Sequence, residues 1–396
     1  MSFAMFMVSL SVSAQTIPRR PPKAPPRVLD NPERGGWKTD VQTSVGVQFD
    51  DNIFHLSPSQ RDEPAAPSAA AIASGRYAGM ENASDVLGLG SLAIQLTGRG
   101  IAGRSLEITP KLSYEFASRN QLRREFAGAL TIAQSLGKGR RARFIAGAIP
   151  RHFSRNYLSD AVDANANGSI TPEERVYARG QYSDYSVGGD LRMPLIARSK
   201  KGAMLTAGAG YYARSYDAPF SYRDLSGPTG MLALAFGQKR PVALELEYDV
   251  ASLSATAARQ ILLLDEPSYN VDFNGNGRKT DLDARASVDT DRSRLEQQIG
   301  VGLVTDAGRR ASVSLGYDYR LRSFRSELPY DENNARRRDS RSGFRGSIRT
   351  KLAKGFAMTA GARFLTQSTN RPLASAVGEE ADYRNLIMSI GLQAAF

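Results

Sequence analysis

The chain of 396 residues contains no cysteine, so it forms no disulfide and offers no thiolate to a metal. Histidine is nearly absent too, with only His55 and His152, and no serine has a defensible histidine partner for nucleophilic catalysis. There is no phosphate-cradling loop and no dinucleotide fingerprint. These absences argue against an enzyme. No run of about 18 apolar residues occurs, which excludes a membrane-spanning helix, and the mean hydropathy is only −0.36. Low hydropathy does not exclude membrane-spanning strands, because those are apolar on one face alone. The net charge of +12 comes without a compact basic motif, so it does not point to nucleic acid.

What the chain has in abundance is alternation. Counting back in twos from the end, Phe396, Ala394, Leu392, Ile390, Met388 and Leu386 are apolar, and the intervening positions are mostly small or polar. After Trp37, the residues Val41, Thr43, Val45, Val47 and Phe49 repeat the period of two. Segment 104–116 sets Leu106, Ile108, Leu112, Tyr114 and Phe116 against Glu107, Lys111 and Glu115. Segment 310–322 sets Val313, Leu315, Tyr317 and Tyr319 against Asp318, Arg320 and Arg322, and 242–250 sets Leu244, Leu246 and Tyr248 against Glu245, Glu247 and Asp249. Weaker versions lie near 86–98, 121–136, 141–155, 177–193, 203–215, 229–237, 292–304, 341–352 and 356–366. With both ends this makes roughly fourteen strands, an even number as single-chain bacterial barrels require.

The connections give an independent test. GIAG, GKGR, SKKG, QKRP, DAGR and AKG are short turns, and they alternate with long links at 50–85, 157–176, 216–228, 254–290, 323–340 and 367–380. Only the link near 118–121 is short where a long one is due. Short turns on one side and long loops on the other, with both chain ends on the short side, is the asymmetry of outer-membrane barrels. The expected fold is an all-β, antiparallel, up-and-down transmembrane β-barrel over 37–396.

The closing strand with its terminal Phe396 resembles that of Gram-negative outer-membrane β-barrels, and the opening strand running into Asp51-Asn52-Ile53-Phe54 resembles porin-like members of that group. The resemblance implies a place in the outer membrane with both termini periplasmic. It also implies recognition of the last strand by the barrel-assembly machinery, and outer-membrane lipid and lipopolysaccharide as neighbours. Residues 1–14, MSFAMFMVSLSVSA, resemble a secretory signal peptide without its positive first region. Residues 15–36 are basic and Pro-rich, and read as an extended periplasmic lead-in.

Two links carry an inlay similar to the EF-hand calcium loop. In 163–174 the pattern needs Asp163, Asn165, Asn167, Ser169 through its carbonyl, Thr171 and Glu174 as oxygen donors, around the turn at Gly168. In 272–283 the same places hold Asp272, Asn274, Asn276, Arg278 through its carbonyl, Thr280 and Asp283. Lys279 stands where the pattern wants an apolar plug, so the second loop is the weaker Ca²⁺ site. Asn- and Gly-rich loops also turn without metal; two matches on the same side favour calcium bracing extracellular loops.

The polar parity places Arg141, Arg143, Arg151 and Arg155 on one strand, Glu245, Glu247 and Asp249 on a second, Arg310, Arg320 and Arg322 on a third, and Arg345, Arg349 and Lys351 on a fourth. These are the expected pore-lining groups, basic and acidic walls across which a transverse field favours anions. The competing expectation is that they pair into ladders and fill the barrel. His152 falls on the apolar parity and is expected near the membrane interface. The sequence thus points to a porin-like channel for small hydrophilic, anionic solutes. The alternatives are a structural or interaction barrel that binds a surface partner or lipopolysaccharide, and an export accessory barrel for surface proteins.

Overall fold

The computed structural model describes residues 36–161, 175–195, 203–237, 242–255, 259–261, 287–289, 291–308, 310–326, 334–370 and 382–396. Both calcium-loop inlays, the signal-like segment 1–14 and all of 15–36 but Gly36 lie outside them.

The strands are β1 (Lys38–Asp50), β2 (Asp85–Arg99), β3 (Ser105–Ala117), β4 (Arg124–Gly137), β5 (Arg140–Ala161), β6 (Arg175–Pro194), β7 (Met204–Tyr216), β8 (Leu225–Phe236) and β9 (Val242–Ala255). After two short strands, β10 (Arg259–Ile261) and β11 (Ser287–Asp289), come β12 (Arg294–Ala307), β13 (Ala311–Phe324), β14 (Arg338–Ala353), β15 (Phe356–Thr369) and β16 (Tyr383–Ala395). β10 and β11 pair only with each other. The other fourteen form one closed antiparallel barrel in which each pairs with its neighbours in the chain, and β1 closes on both β2 and β16. Closure leaves no strand edge with unpaired amides, the reason a barrel tolerates an apolar surrounding.

The alternation decides which face each residue takes. On β13, Leu315 is 56% exposed, whereas Asp318 and Arg320, inward on the same strand, are each 2% exposed. Across the barrel the exposed parity is apolar: Val45 and Val47 on β1, Leu112 and Tyr114 on β3, Leu244 and Leu246 on β9, Ile348 on β14, and Ile390 and Leu392 on β16. The barrel is therefore apolar outside and polar inside, the reverse of a water-soluble fold. Exposed aromatic rings gather at two levels. Trp37, Phe236, Phe356 and Phe396 lie at the short-turn end, and Phe116, Phe126, Tyr185, Tyr248, Tyr319 and Phe344 lie farther along the strands.

β1 and β16 meet at the short-turn end, where Phe396 N donates to Val41 O (2.9 Å). At the other end the rim is uneven. The link between β3 and β4 is short, whereas β5 and β6 have 22 and 20 residues against the roughly 9–11 that cross a bilayer at a tilt. Residues 51–84 lie along this notch as a strap. Asn52 anchors it at β16, donating through Nδ2 to Arg384 O (3.0 Å) and Leu56 O (2.8 Å). Asn120 of the β3–β4 link accepts from Glu81 N (2.7 Å) through Oδ1. At the far side Ser74 O accepts from Tyr177 N (2.9 Å) of β6. The strap carries one short helix, α1 (Ala69–Ala73), capped by Ser68, and buries Ile53, Phe54, Leu56, Tyr77 and Met80 against Phe153 of β5.

Candidate functional site

The inward parity lines a lumen with charge. Arg143 of β5 grips Asp190 of β6 with two contacts, Nε to Oδ2 at 2.9 Å and Nη2 to Oδ2 at 2.7 Å; the two residues are register partners, so sheet geometry brings them together. Arg141 reaches Glu107 of β3 at 2.6 Å. On the next wall Asp184 of β6 accepts from Arg214 Nε and Nη2 of β7, both at 2.7 Å, and from the Tyr212 hydroxyl at 2.6 Å. Arg214 also lies 3.5 Å from the centroid of the Tyr182 ring.

Glu245, Glu247 and Asp249 descend the inner face of β9 in register with β12. Arg192 of β6, Arg345 of β14 and Arg143 of β5 are the cations whose charge bears on Glu245. On β12, Glu296 accepts from Arg294 Nε (2.6 Å) and faces Arg322 Nε of β13 (3.2 Å). Asp318 of β13 faces Arg363 of β15 (3.2 Å) and Arg341 of β14 (3.6 Å). Arg320 donates to Gln367 (3.4 Å), and Arg349 to Gln393 (2.7 Å).

The inner surface is thus an acidic stripe on β9 between two arginine-rich sectors, on β5–β7 and on β12–β15. This differs from two plain opposed walls. Arg143, Arg214, Arg294, Arg322 and Arg341 are also engaged with a carboxylate on the same or a neighbouring strand, and Arg141 and Arg363 with one two strands away, which offsets the desolvation of both charges and fixes their geometry.

Of the residues expected in the lumen, Arg141, Arg143, Glu245, Glu247, Asp249, Arg320, Arg322, Arg345 and Arg349 share its inner face. Arg310 and Lys351 are exposed at the short-turn rim. One expectation on β5 is corrected: Arg151 is exposed. Arg155, opposite Gly180, keeps the inner parity, and it is only 4% exposed because the strap covers it. The cause of the change at Arg151 is a register shift at 149–152, with Arg151 at a left-handed φ of 48°. One extra residue on a strand exchanges its faces beyond that point, and a second shift at 153–155 restores them before Arg155. The first shift carries His152 inward: it is fully buried, with Nδ1 2.6 Å from Glu125 Oε2, in contact with Arg123, and its ring 4.9 Å from that of Tyr182. It does not sit at an outer interface. A sequence signal was present, since Pro150 cannot donate to a sheet ladder and proline inside a strand marks a bulge or an edge.

Sequence reasoning missed Asp184, Arg214, Asp190, Arg341 and Arg363. Their strands alternate weakly in hydrophobicity, and the signal lies in opposite charges that only the register pairs, as with Asp184 and Arg214. Among the described residues no cluster of three or more metal-ligating side chains occurs.

No protein-family model matches the chain, and no curated protein matches it. Solved structures similar to it include an anion-selective porin from Comamonas acidovorans, at 10% identity over 92% of this chain and 100% of that one, with a TM-score of 0.38. They also include OmpT, an outer membrane protein of Vibrio cholerae, at 8% identity over 92% and 100%, with a TM-score of 0.42. A third is the outer membrane protein OprD from Pseudomonas aeruginosa, at 10% identity over 91% and 94%, with a TM-score of 0.34.

Proposed function

We propose that the chain is a porin-like channel of the outer membrane, passing small hydrophilic and anionic solutes by diffusion. One observation carries this reading: a closed fourteen-strand barrel whose outward residues are apolar and whose inward residues include an excess of arginine on two sectors. An apolar exterior flanked by aromatic rings is stable in lipid and unstable in water. A barrel of this strand number is wider than the eight-stranded kind that side chains fill completely. Guanidiniums held along the wall lower the energy of an anion in transit, while the β9 carboxylates keep the field transverse.

In this reading both termini are periplasmic, the long links face outward, and the Phe396 strand is read by the assembly machinery. Lipid and lipopolysaccharide contact the outer face. Calcium bound by 163–174, and more weakly by 272–283, braces the outer loops. The test is conductance of the refolded chain in a planar bilayer, with the reversal potential in a salt gradient. Steady open steps with anion preference are expected. A folded barrel that never conducts overturns the reading.

A second reading, a non-conducting structural or interaction barrel, is favoured by the paired lumen charges: the side chains of Arg214 and Asp184 are 4% and 0% exposed. An export accessory barrel would depend on segment 15–36; deleting it should then abolish secretion of a surface protein and leave conductance unchanged.

A further inference from the structure

Arg155 is 4% exposed, its guanidinium has no hydrogen-bond or ion-pair partner among the described residues, and its Nε is buried without an acceptor. A guanidinium does not shed its proton in proteins, and burying an unpaired charge is among the costliest arrangements a fold can hold. Its surroundings do not supply the missing charge. Glu63 of the strap faces Arg76 at 3.8 Å and accepts from the Tyr77 hydroxyl, and Asp51 faces Arg61 at 3.1 Å. The Tyr77 phenol is no counter-ion either, because burial and its hydrogen bond to Glu63 push its pKa well above the usual tyrosine range.

Arg155 borders a small recess between the strap and the extension of β5–β6. The other lining residues are Leu56, Gln60, Arg76, Tyr77, Met80, Asn156 and Tyr177. Asn156 spends its amide on the strap, where Nδ2 contacts Gly75 O (3.3 Å), Arg76 O (3.2 Å) and Ala78 O (3.0 Å). Its Oδ1 remains a buried acceptor without a donor. Arg76 lies near the rings of Tyr77 (5.3 Å) and Tyr177 (5.9 Å). The recess therefore joins an uncompensated cation and a free acceptor to an apolar and aromatic lining, the composition of a ligand site for a molecule that is itself part charged and part apolar.

We propose that this recess binds a small amphipathic anion, a carboxylate or phosphate monoester on an apolar body, with Arg155 pairing the charge and Leu56, Met80 and the tyrosine rings covering the body. The site lies at the strap, apart from the lumen sectors. Binding there ties the strap to β5, since one wall of the recess comes from each.

The test is titration calorimetry on the folded full chain in detergent, using benzoate, phenyl phosphate, the neutral isostere benzyl alcohol, and inorganic phosphate. Benzoate and phenyl phosphate should bind one to one, with benzyl alcohol and inorganic phosphate at least tenfold weaker. Arg155→Gln should weaken both amphipathic anions at least tenfold, and Arg155→Lys less. Benzoate should also slow amide exchange over 74–80 and leave the β9 lumen stripe unchanged. Inorganic phosphate binding as tightly as phenyl phosphate would overturn the proposal, as would unchanged affinity in Arg155→Gln or no binding by either amphipathic anion. Should Arg155→Gln not refold, the benzoate and benzyl alcohol comparison with the exchange map decides on the unaltered chain.

Discussion

Arg345 lies flat across Gly316: a Cβ added to that glycine would stand 2.5 Å from Arg345 Nε and 3.0 Å from its Cγ. The two are register partners on β13 and β14. Gly343 does the same for Asp318, whose carboxylate oxygens would be 2.8 and 2.9 Å from an added Cβ. Inward glycines let charged side chains lie along the wall. Gly316→Val should lift Arg345 off the wall at a stability cost of about 1–3 kcal/mol and lower the single-channel conductance. Arg345→Ala in the same chain should restore it. Unchanged conductance in Gly316→Val would mean that the ion path does not pass Arg345.

Arg345 places charge near the β9 carboxylates Glu245 and Glu247, so its removal should shift selectivity and leave folding intact. Losing one unit charge at a partly screened separation changes the energy of a passing ion by about 1 kcal/mol, or about fivefold in the anion-to-cation permeability ratio. Arg345→Gln should move the reversal potential toward cations, and Glu245→Gln should move it toward anions. Equal shifts of the same sign from both variants would sink the assignment of these residues to the pore wall.

The barrel itself was legible because a period of two and the alternation of turn lengths follow from strand geometry alone. Each of the fourteen wall strands overlaps a segment read from the sequence, and Leu315 and Asp318 take the faces their parity assigns. Parity fails where the register slips, and β5 is the instance: beyond Pro150 the expectations for Arg151 and His152 invert, and a second slip before Arg155 restores the faces. The strap was not legible either. Phe54, Tyr77 and Met80 occur in a stretch whose Ala, Ser and Pro content resembles a plain loop, and what folds it is a tertiary surface, Phe153 and Asn156, with no periodic trace in the sequence.

The pair Asp184–Arg214 is buried on both sides, so removing one partner strands the other charge. Asp184→Ala should destabilise the folded barrel by about 3–5 kcal/mol, read as a lower urea midpoint for loss of heat-modifiable mobility. The double variant Asp184→Ala with Arg214→Met should recover part of that loss, because the orphaned charge is gone. A double variant no more stable than Asp184→Ala alone would show that the pair is not what holds β6 to β7 there.

Calcium coordination by 163–174 requires Asp163 and Glu174 together, because Ca²⁺ takes six to eight oxygens and these two supply the charged ones at either end of the loop. The native chain should bind at least one Ca²⁺ by calorimetry, with affinity in the range of about 10⁻⁴–10⁻³ M typical of extracellular modules. Asp163→Ala with Glu174→Ala should remove that site, and Asp272→Ala with Asp283→Ala should remove a weaker one. Chelation of the native chain should speed proteolysis within the long links and leave the strands intact, since mass action stabilises only the state that binds. If the paired substitutions at 163 and 174 leave the calcium isotherm unchanged, the loop is a turn whose Asn and Gly residues serve its backbone alone.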